Sequence, residues 1–325
     1  MEILLKRLSQ LALSIALIFL PSQIIGKENN LFDLRKNDWQ FVVVERKEIK
    51  LWDCEKKVLS SLFGSKKYEY DSSDVLIVTP SLCFKKKQLL LAKNIIAQNS
   101  GKILMVDIDN GTENILFEGK AIRSPVLSPD NKQICFLSNR NQNEAYSLFV
   151  LDVSTNSINT IIKESIVYGE GYNLNISWSP DSKRVFYSSI DGHINIIDIY
   201  TRENKTITEG FDPICSPDGQ MLLIKEKKYN PYIPVIYDLR TGKSKKIKLS
   251  EVLNAIWSPD GNYLISVRNI SSIFRFNEWE REVVAVDTDT REKTILFTFE
   301  GFEYIDCKVL HEPVGRVEER NPTKQ

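Results

Sequence analysis

The sequence predicts an all-β protein, a six-bladed β-propeller with four-stranded blades, closed by a C-terminal strand that completes the first blade. Three observations predict it. The tripeptide Ser-Pro-Asp occurs four times, and an apolar strand ending in Asp occurs six times at intervals of 40 to 54 residues. The third is a motif, EGFDPICSPDGQ at 209–220, that begins again as EGFEYIDCKVL at 300–310 without the turn and strands that should follow it.

The Ser-Pro-Asp turns lie at Ser128-Pro129-Asp130, Ser179-Pro180-Asp181, Ser216-Pro217-Asp218 and Ser258-Pro259-Asp260. Proline fixes φ at the second turn position, Asp suits the third, and Gly219 and Gly261 fill the fourth in two of the turns. An apolar strand follows each: QICFLS, RVFYSS, QMLLIK and YLISVR. Strands apolar on both faces belong between other layers.

The second marker is Asp53, Asp107, Asp152, Asp198, Asp238 and Asp287, each closing an apolar strand before a polar turn. A carboxylate there can accept backbone N–H bonds from the turn, which explains the recurrence without catalysis. Six units of about 45 residues follow, with the turn joining strand a to strand b. The first unit has b (39–46), c (49–53) and d but lacks a, and 301–309 aligns with 210–218 to supply it. Closing the ring this way removes an exposed sheet edge.

The chain has 43 basic and 43 acidic residues, 42% hydrophobic and 26% charged, the balance of a globular protein with no concentrated positive field for nucleic acid. Lys85 to Lys87 and KSKKIK at 243–248 read as solvated turns. Residues 1–26 read as a secretory signal: Lys6 and Arg7, the apolar run 8–20, then Pro21 and Gly26. The run is short for a membrane span, and an uncleaved anchor is the competing reading. A short lead-in (27–38), the propeller (39–310) and a polar tail (311–325) follow, in a periplasmic or secreted monomer with no membrane insertion after signal removal. The five cysteines, Cys54, Cys83, Cys135, Cys215 and Cys307, are widely spaced and odd in number, so they form neither a disulfide framework nor a zinc motif. Asp107 and Asp109 lack the glycine and glutamate positions of a calcium loop, so no metal and no cofactor is expected.

Residues 124–153, ISWSPDSKRVFYSS and AIWSPDGNYLISVR resemble the repeat of TolB-type β-propellers, including Trp178 and Trp257 before the turn. The resemblance covers about 39–310. It implies an envelope protein that binds a partner through its propeller, as TolB binds a peptidoglycan-associated lipoprotein. The N-terminal α/β domain of TolB has no counterpart in the dozen residues before the first blade, so roles that depend on it do not carry over. The tryptophans are expected to pack between blades.

Four residues upstream of each turn serine stand Thr79, Ser124, Asn175, Asp212, Asn254 and, by the Gly-Phe register, Glu303. All six are polar in otherwise apolar inner strands, which predicts a polar ring at one mouth of the channel. Tyr229 and Tyr232, with Phe274, Phe276 and Trp279, lie in the b–c loops expected at the same mouth. Exposed aromatics beside a polar mouth suit a protein interface, and packing onto the blade is the competing expectation.

The only histidines, His193 and His311, lack metal-ligand spacing, and neither GxSxG nor HExxH occurs. The expected function is therefore a non-catalytic interaction scaffold binding an envelope or secreted protein. The alternative is a glycan-binding or glycan-cleaving propeller using Asp212 and Glu303 as paired carboxylates.

Overall fold

A computed structural model describes residues 40–45, 48–53, 58–62, 75–83, 88–95, 100–107, 109–139, 145–167, 176–226, 232–249, 252–269, 280–300 and 307–310. All belong to one compact unit, Arg35–Gln325. The signal, the lead-in, the tail and the b–c loop holding Phe274, Phe276 and Trp279 lie outside the described residues, as do Asn175, Tyr229 and Glu303.

The described strands pair into six four-stranded antiparallel sheets, and the architecture is an all-β β-propeller. Five sheets are contiguous in sequence. One is β4 (Val75–Cys83), β5 (Gln88–Ile95), β6 (Ser100–Asp107) and β7 (Glu113–Gly119). The next is β8 (Ile122–Leu127), β9 (Gln133–Ser138), β10 (Ala145–Asp152) and β11 (Ile158–Val167). It is followed by β12 (Ser177–Trp178), β13 (Arg184–Ser188), β14 (His193–Asp198) and β15 (Asn204–Glu209). Then come β16 (Phe211–Cys215), β17 (Met221–Lys225), β18 (Pro234–Asp238) and β19 (Ser244–Lys246). The last is β20 (Val252–Trp257), β21 (Tyr263–Asn269), β22 (Glu280–Asp287) and β23 (Lys293–Glu300).

The remaining sheet is composite, in the order β24 (Cys307–Leu310), β1 (Gln40–Glu45), β2 (Glu48–Asp53), β3 (Val58–Leu62). Val43 pairs with Cys307, Val42 with Lys308, Phe41 with Val309 and Gln40 with Leu310. The C-terminal strand thus completes the N-terminal sheet, but not in the register that the Gly-Phe repeat suggests. Counting from the Asp that closes strand c in each sheet, Phe41 matches Leu222, so Val309 is level with Cys215. The Gly-Phe alignment would put Asp306 there. The register is corrected by three residues, and the sequence counterpart of Asp212 becomes Asp306 rather than Glu303. Two matching letters fixed the alignment too far upstream, because a pairing register follows the apolar alternation of the strand rather than the residues that lead into it.

The first strands of successive sheets lie side by side: β24 against β20 and β4, β4 against β8, and β12 against β16. Hydrogen bonds span the remaining gaps. Trp178 on β12 donates its indole N–H to the Val126 carbonyl of β8 at 3.0 Å, and Trp257 on β20 donates to Ile214 of β16 at 2.9 Å. Both tryptophans are buried within apolar clusters shared by neighbouring sheets. An indole between sheets buries a large ring and satisfies a carbonyl with one side chain.

Both repeated turns are built as their residues suggest. In the Ser-Pro-Asp turn the Asp accepts from the serine hydroxyl, at 2.6 Å in Ser128–Asp130 and Ser258–Asp260, while the serine oxygen accepts the N–H that opens the next strand. The residue after Asp is left-handed: Asn131, Ser182, Gly219 and Gly261 have φ of 60°, 59°, 75° and 76°. At the c–d turn, Oδ1 of Asp107, Asp152, Asp198, Asp238 and Asp287 accepts the backbone N–H groups two and three residues ahead at 2.7–3.0 Å. The fourth residue on is again left-handed, and in two sheets it is an arginine, Arg202 (φ 66°) and Arg291 (φ 69°). Each guanidinium reaches the outer strand of the preceding sheet, Arg202 to the Thr160 carbonyl and Arg291 to the Lys246 carbonyl, both at 3.2 Å.

Candidate functional site

The polar ring position coincides with an irregularity of the inner strand. Pairing between β4 and β5 slips between Val78 and Ser81, that of β8 with β9 between Arg123 and Val126, and that of β16 with β17 between Phe211 and Ile214. The skipped residues are Thr79-Pro80, Ser124-Pro125 and Asp212-Pro213. A proline has no N–H for the ladder, so a bulge at an X-Pro pair leaves no donor stranded at its second residue. Ser124 and Asp212 adopt φ of 45° and 51°, the left-handed region that costs a residue with a Cβ. In β20 the slip lies between Val252 and Asn254, beside the ring residue.

Ser124, Asp212 and Asn254 are all buried, at 3%, 8% and 2% exposure. They do not stand free at an open mouth. The Asp212 N–H donates to Ser188 Oγ of the preceding sheet at 2.9 Å, and the Asp212 carboxylate holds Lys225 Nζ at 2.7 Å. Lys225 is itself 3% exposed, and its ammonium lies 4.5 Å from the centre of the Tyr232 ring. The exposed platform expected at Tyr232 is therefore corrected. This ring is 6% exposed and belongs to the cluster of Trp257, Leu223 and Val252. Its backbone N–H bonds to the Val252 carbonyl at 3.0 Å, which ties the b–c loop to the first strand of the next sheet. Burial pushes the Tyr232 phenol well above its usual range, and the Asp212 charge adds to that.

An anion, a cation and an aromatic face thus meet in a buried site. Their mutual attraction compensates for desolvation that none could bear alone. Nothing in the spacing of the sequence announces the trio. The available signal is Lys225 itself, a lysine at a position where the other described second strands carry Val44, Ala92, Leu137, Ser188 and Val267. Across the same face, the Asn94 amide clasps both backbone groups of Ile122 on the next sheet, at 2.8 and 2.9 Å. Gly101 makes that possible, since a Cβ there would lie 2.3 Å from the Asn94 oxygen. Further along, a buried Glu282 pairs with Arg268.

The chemistry open to this arrangement is limited. One carboxylate oxygen of Asp212 is committed to Lys225 and the residue is 8% exposed, so little of the carboxylate is open to an outside molecule. Burial raises the Cys215 thiol to about 12, so it stays protonated and unreactive at neutral pH. Among the described residues, no cluster of three His, Cys, Asp or Glu side chains is placed to hold a metal ion. The acid pair at 107–109 is closed on its own turn, because Asp107 Oδ1 accepts from the Asp109 and Asn110 N–H groups. His193, half-buried at the start of β14, lies 3.1 Å from Asp191. Among the described residues, no helix is long and apolar enough to cross a membrane.

The described fold is that of the TolB-type β-propellers. TolB from Acinetobacter baumannii superposes with a TM-score of 0.62 at 18% identity, over 79% of this chain and 62% of that one. A structure described as TolB from Agrobacterium tumefaciens gives 0.56 at 15% identity, over 80% of this chain and 89% of the other. An oligogalacturonate lyase from Vibrio parahaemolyticus gives 0.51 at 17% identity, over 79% and 73%. These likenesses establish the fold alone. No family model and no curated protein matches the chain.

Proposed function

We propose that the chain is an exported, non-catalytic β-propeller of six blades that captures a protein partner at the channel mouth where the inner strands begin. The ring Thr79, Ser124, Asn175, Asp212 and Asn254, with Asp306 in place of Glu303, would shape that mouth, its buried members Ser124, Asp212 and Asn254 positioning the contact surface rather than touching the partner. The observation that supports it is the recurrence of one polar residue per inner strand at an equivalent sequence position, set in a bulge at Thr79, Ser124 and Asp212 and beside one at Asn254. Left-handed backbone at two of these positions, Ser124 and Asp212, is strain that suggests selection for what that level holds. The likeness to TolB supports a scaffold, and the apolar run at 8–20 supports export.

Capture from an envelope extract by the immobilised protein tests this. Ser124→Ala with Asn254→Ala, expected to melt within a few degrees of the parent, should lose at least about tenfold of the capture. Undiminished capture by that variant would remove the mouth from the reading. The glycan alternative draws on the lyase likeness and on Asp212. Turnover of an oligogalacturonide that Asp212→Asn abolishes would replace the scaffold with an enzyme.

A further inference from the structure

The outer edge of the sheet β16 to β19 differs from the other outer edges. Residues 239–249 carry five basic side chains, Arg240, Lys243, Lys245, Lys246 and Lys248, and no acidic one. All five are exposed. Other outer strands are uncharged, mixed or acidic: β3 carries no charge, β7 carries Glu113 and Glu118, and β15 carries Lys205 and Glu209. Lysine on an edge strand discourages pairing between sheets, but a strand of three residues needs little such protection. The chain as a whole is neutral, so with five cations here the remainder is acidic on balance.

This edge is held firmly. Ile247 and Leu249, at 1% and 2% exposure, anchor it in the apolar cluster behind, and the Ile247 N–H bonds to the Pro234 carbonyl at 2.8 Å. Arg291 of the neighbouring sheet donates to the Lys246 carbonyl, which brings another cation to the same margin. Among the described residues the ion pair on the edge is Lys246 with Glu226 at 2.7 Å, both side chains about half exposed, so it competes weakly with an outside anion.

We infer that this edge docks on a surface of anionic lipid headgroups. Along a strand, successive side chains leave opposite faces, so Lys245 and Lys246 diverge. A narrow polyanion lying on one face would meet only part of the set. A flat charged surface approached edge-on is within reach of all five, because flexible lysine stems can bend toward it from both faces. The edge is separate from the mouth, so a partner and a membrane could be engaged together. Binding is peripheral and salt-sensitive, and no segment inserts.

The test is flotation of the purified protein with phosphatidylcholine vesicles, with and without about one third phosphatidylglycerol. The protein should float with the anionic vesicles alone and be released at high salt. Each lysine-to-glutamine change at 243, 245, 246 or 248 should weaken binding about fivefold, and the quadruple variant should not float while melting as the parent does. Flotation with neutral vesicles, flotation of the quadruple variant, or no flotation of the parent would each overturn the proposal. So would retention on a soluble polyanion such as polygalacturonate without vesicle binding, which would make the edge a polymer site.

Discussion

At the scale of single residues, the buried trio of Asp212, Lys225 and Tyr232 makes the sharpest demands. Asp212→Ala leaves an ammonium at 3% exposure with its counter-charge gone, and should cost about 3–5 kcal/mol in urea unfolding. Asp212→Asn combined with Lys225→Met removes both charges, and should cost clearly less than the sum of the single changes. If the double variant is as unstable as that sum, the two groups are not coupled and the trio is no unit. Arg291 presents a different balance, a left-handed backbone offset by a bond to the next sheet. Arg291→Ala keeps the strain and loses the bond, at about 1 kcal/mol. Arg291→Gly loses the bond but relieves the strain, and its urea midpoint should lie close to the parent's.

Among elements, the c–d turns tie stability to pH. The Ser154 hydroxyl, followed by the Thr155 N–H, lowers the Asp152 carboxyl to about 2, and the turns at Asp198 and Asp238 shift the same way through their own backbone donors. A carboxyl depressed on folding contributes fully above its unfolded value of about 3.9 and loses that contribution as pH falls through the folded value. Stability should therefore decline between about pH 4 and pH 2. Asp152→Asn, which keeps the acceptor oxygen but cannot titrate, should flatten part of that decline in urea titrations at stepped pH. These turns were legible in the sequence because each is local: an Asp bonding to its own next residues needs no partner from elsewhere. The Ser-Pro-Asp turns were legible for the same reason. The pairing of Lys225 with Asp212 was not, since it joins two strands across a bulge, and the burial of Tyr232 depends on a bond to a different sheet. The Gly-Phe register misled because strand pairing, not resemblance of the approach, sets which residues are level.

For the molecule as a whole, the composite sheet carries the argument. Order, turns and the return of the last strand to the first sheet could be read from the repeat, because a unit lacking its inner strand and an inner strand lacking its unit require each other. Deleting 307–325 should expose the ladder edge of β1. By size-exclusion chromatography that variant should run as aggregates or higher oligomers where the parent does not. A truncated chain that stays monomeric with an unchanged melting temperature would show that β24 adds little.

The clasp between β24 and β1 also sets a timetable. Its two halves are residues 40–43 and 307–310, so the first sheet waits, one strand short, until the second of them has been made. Such distant pairings form late and slowly. Throughout synthesis the nascent chain therefore offers an unfinished ladder to any passing strand, and a holding chaperone that covers 40–45 would be guarding the seam by which the ring is finally sealed.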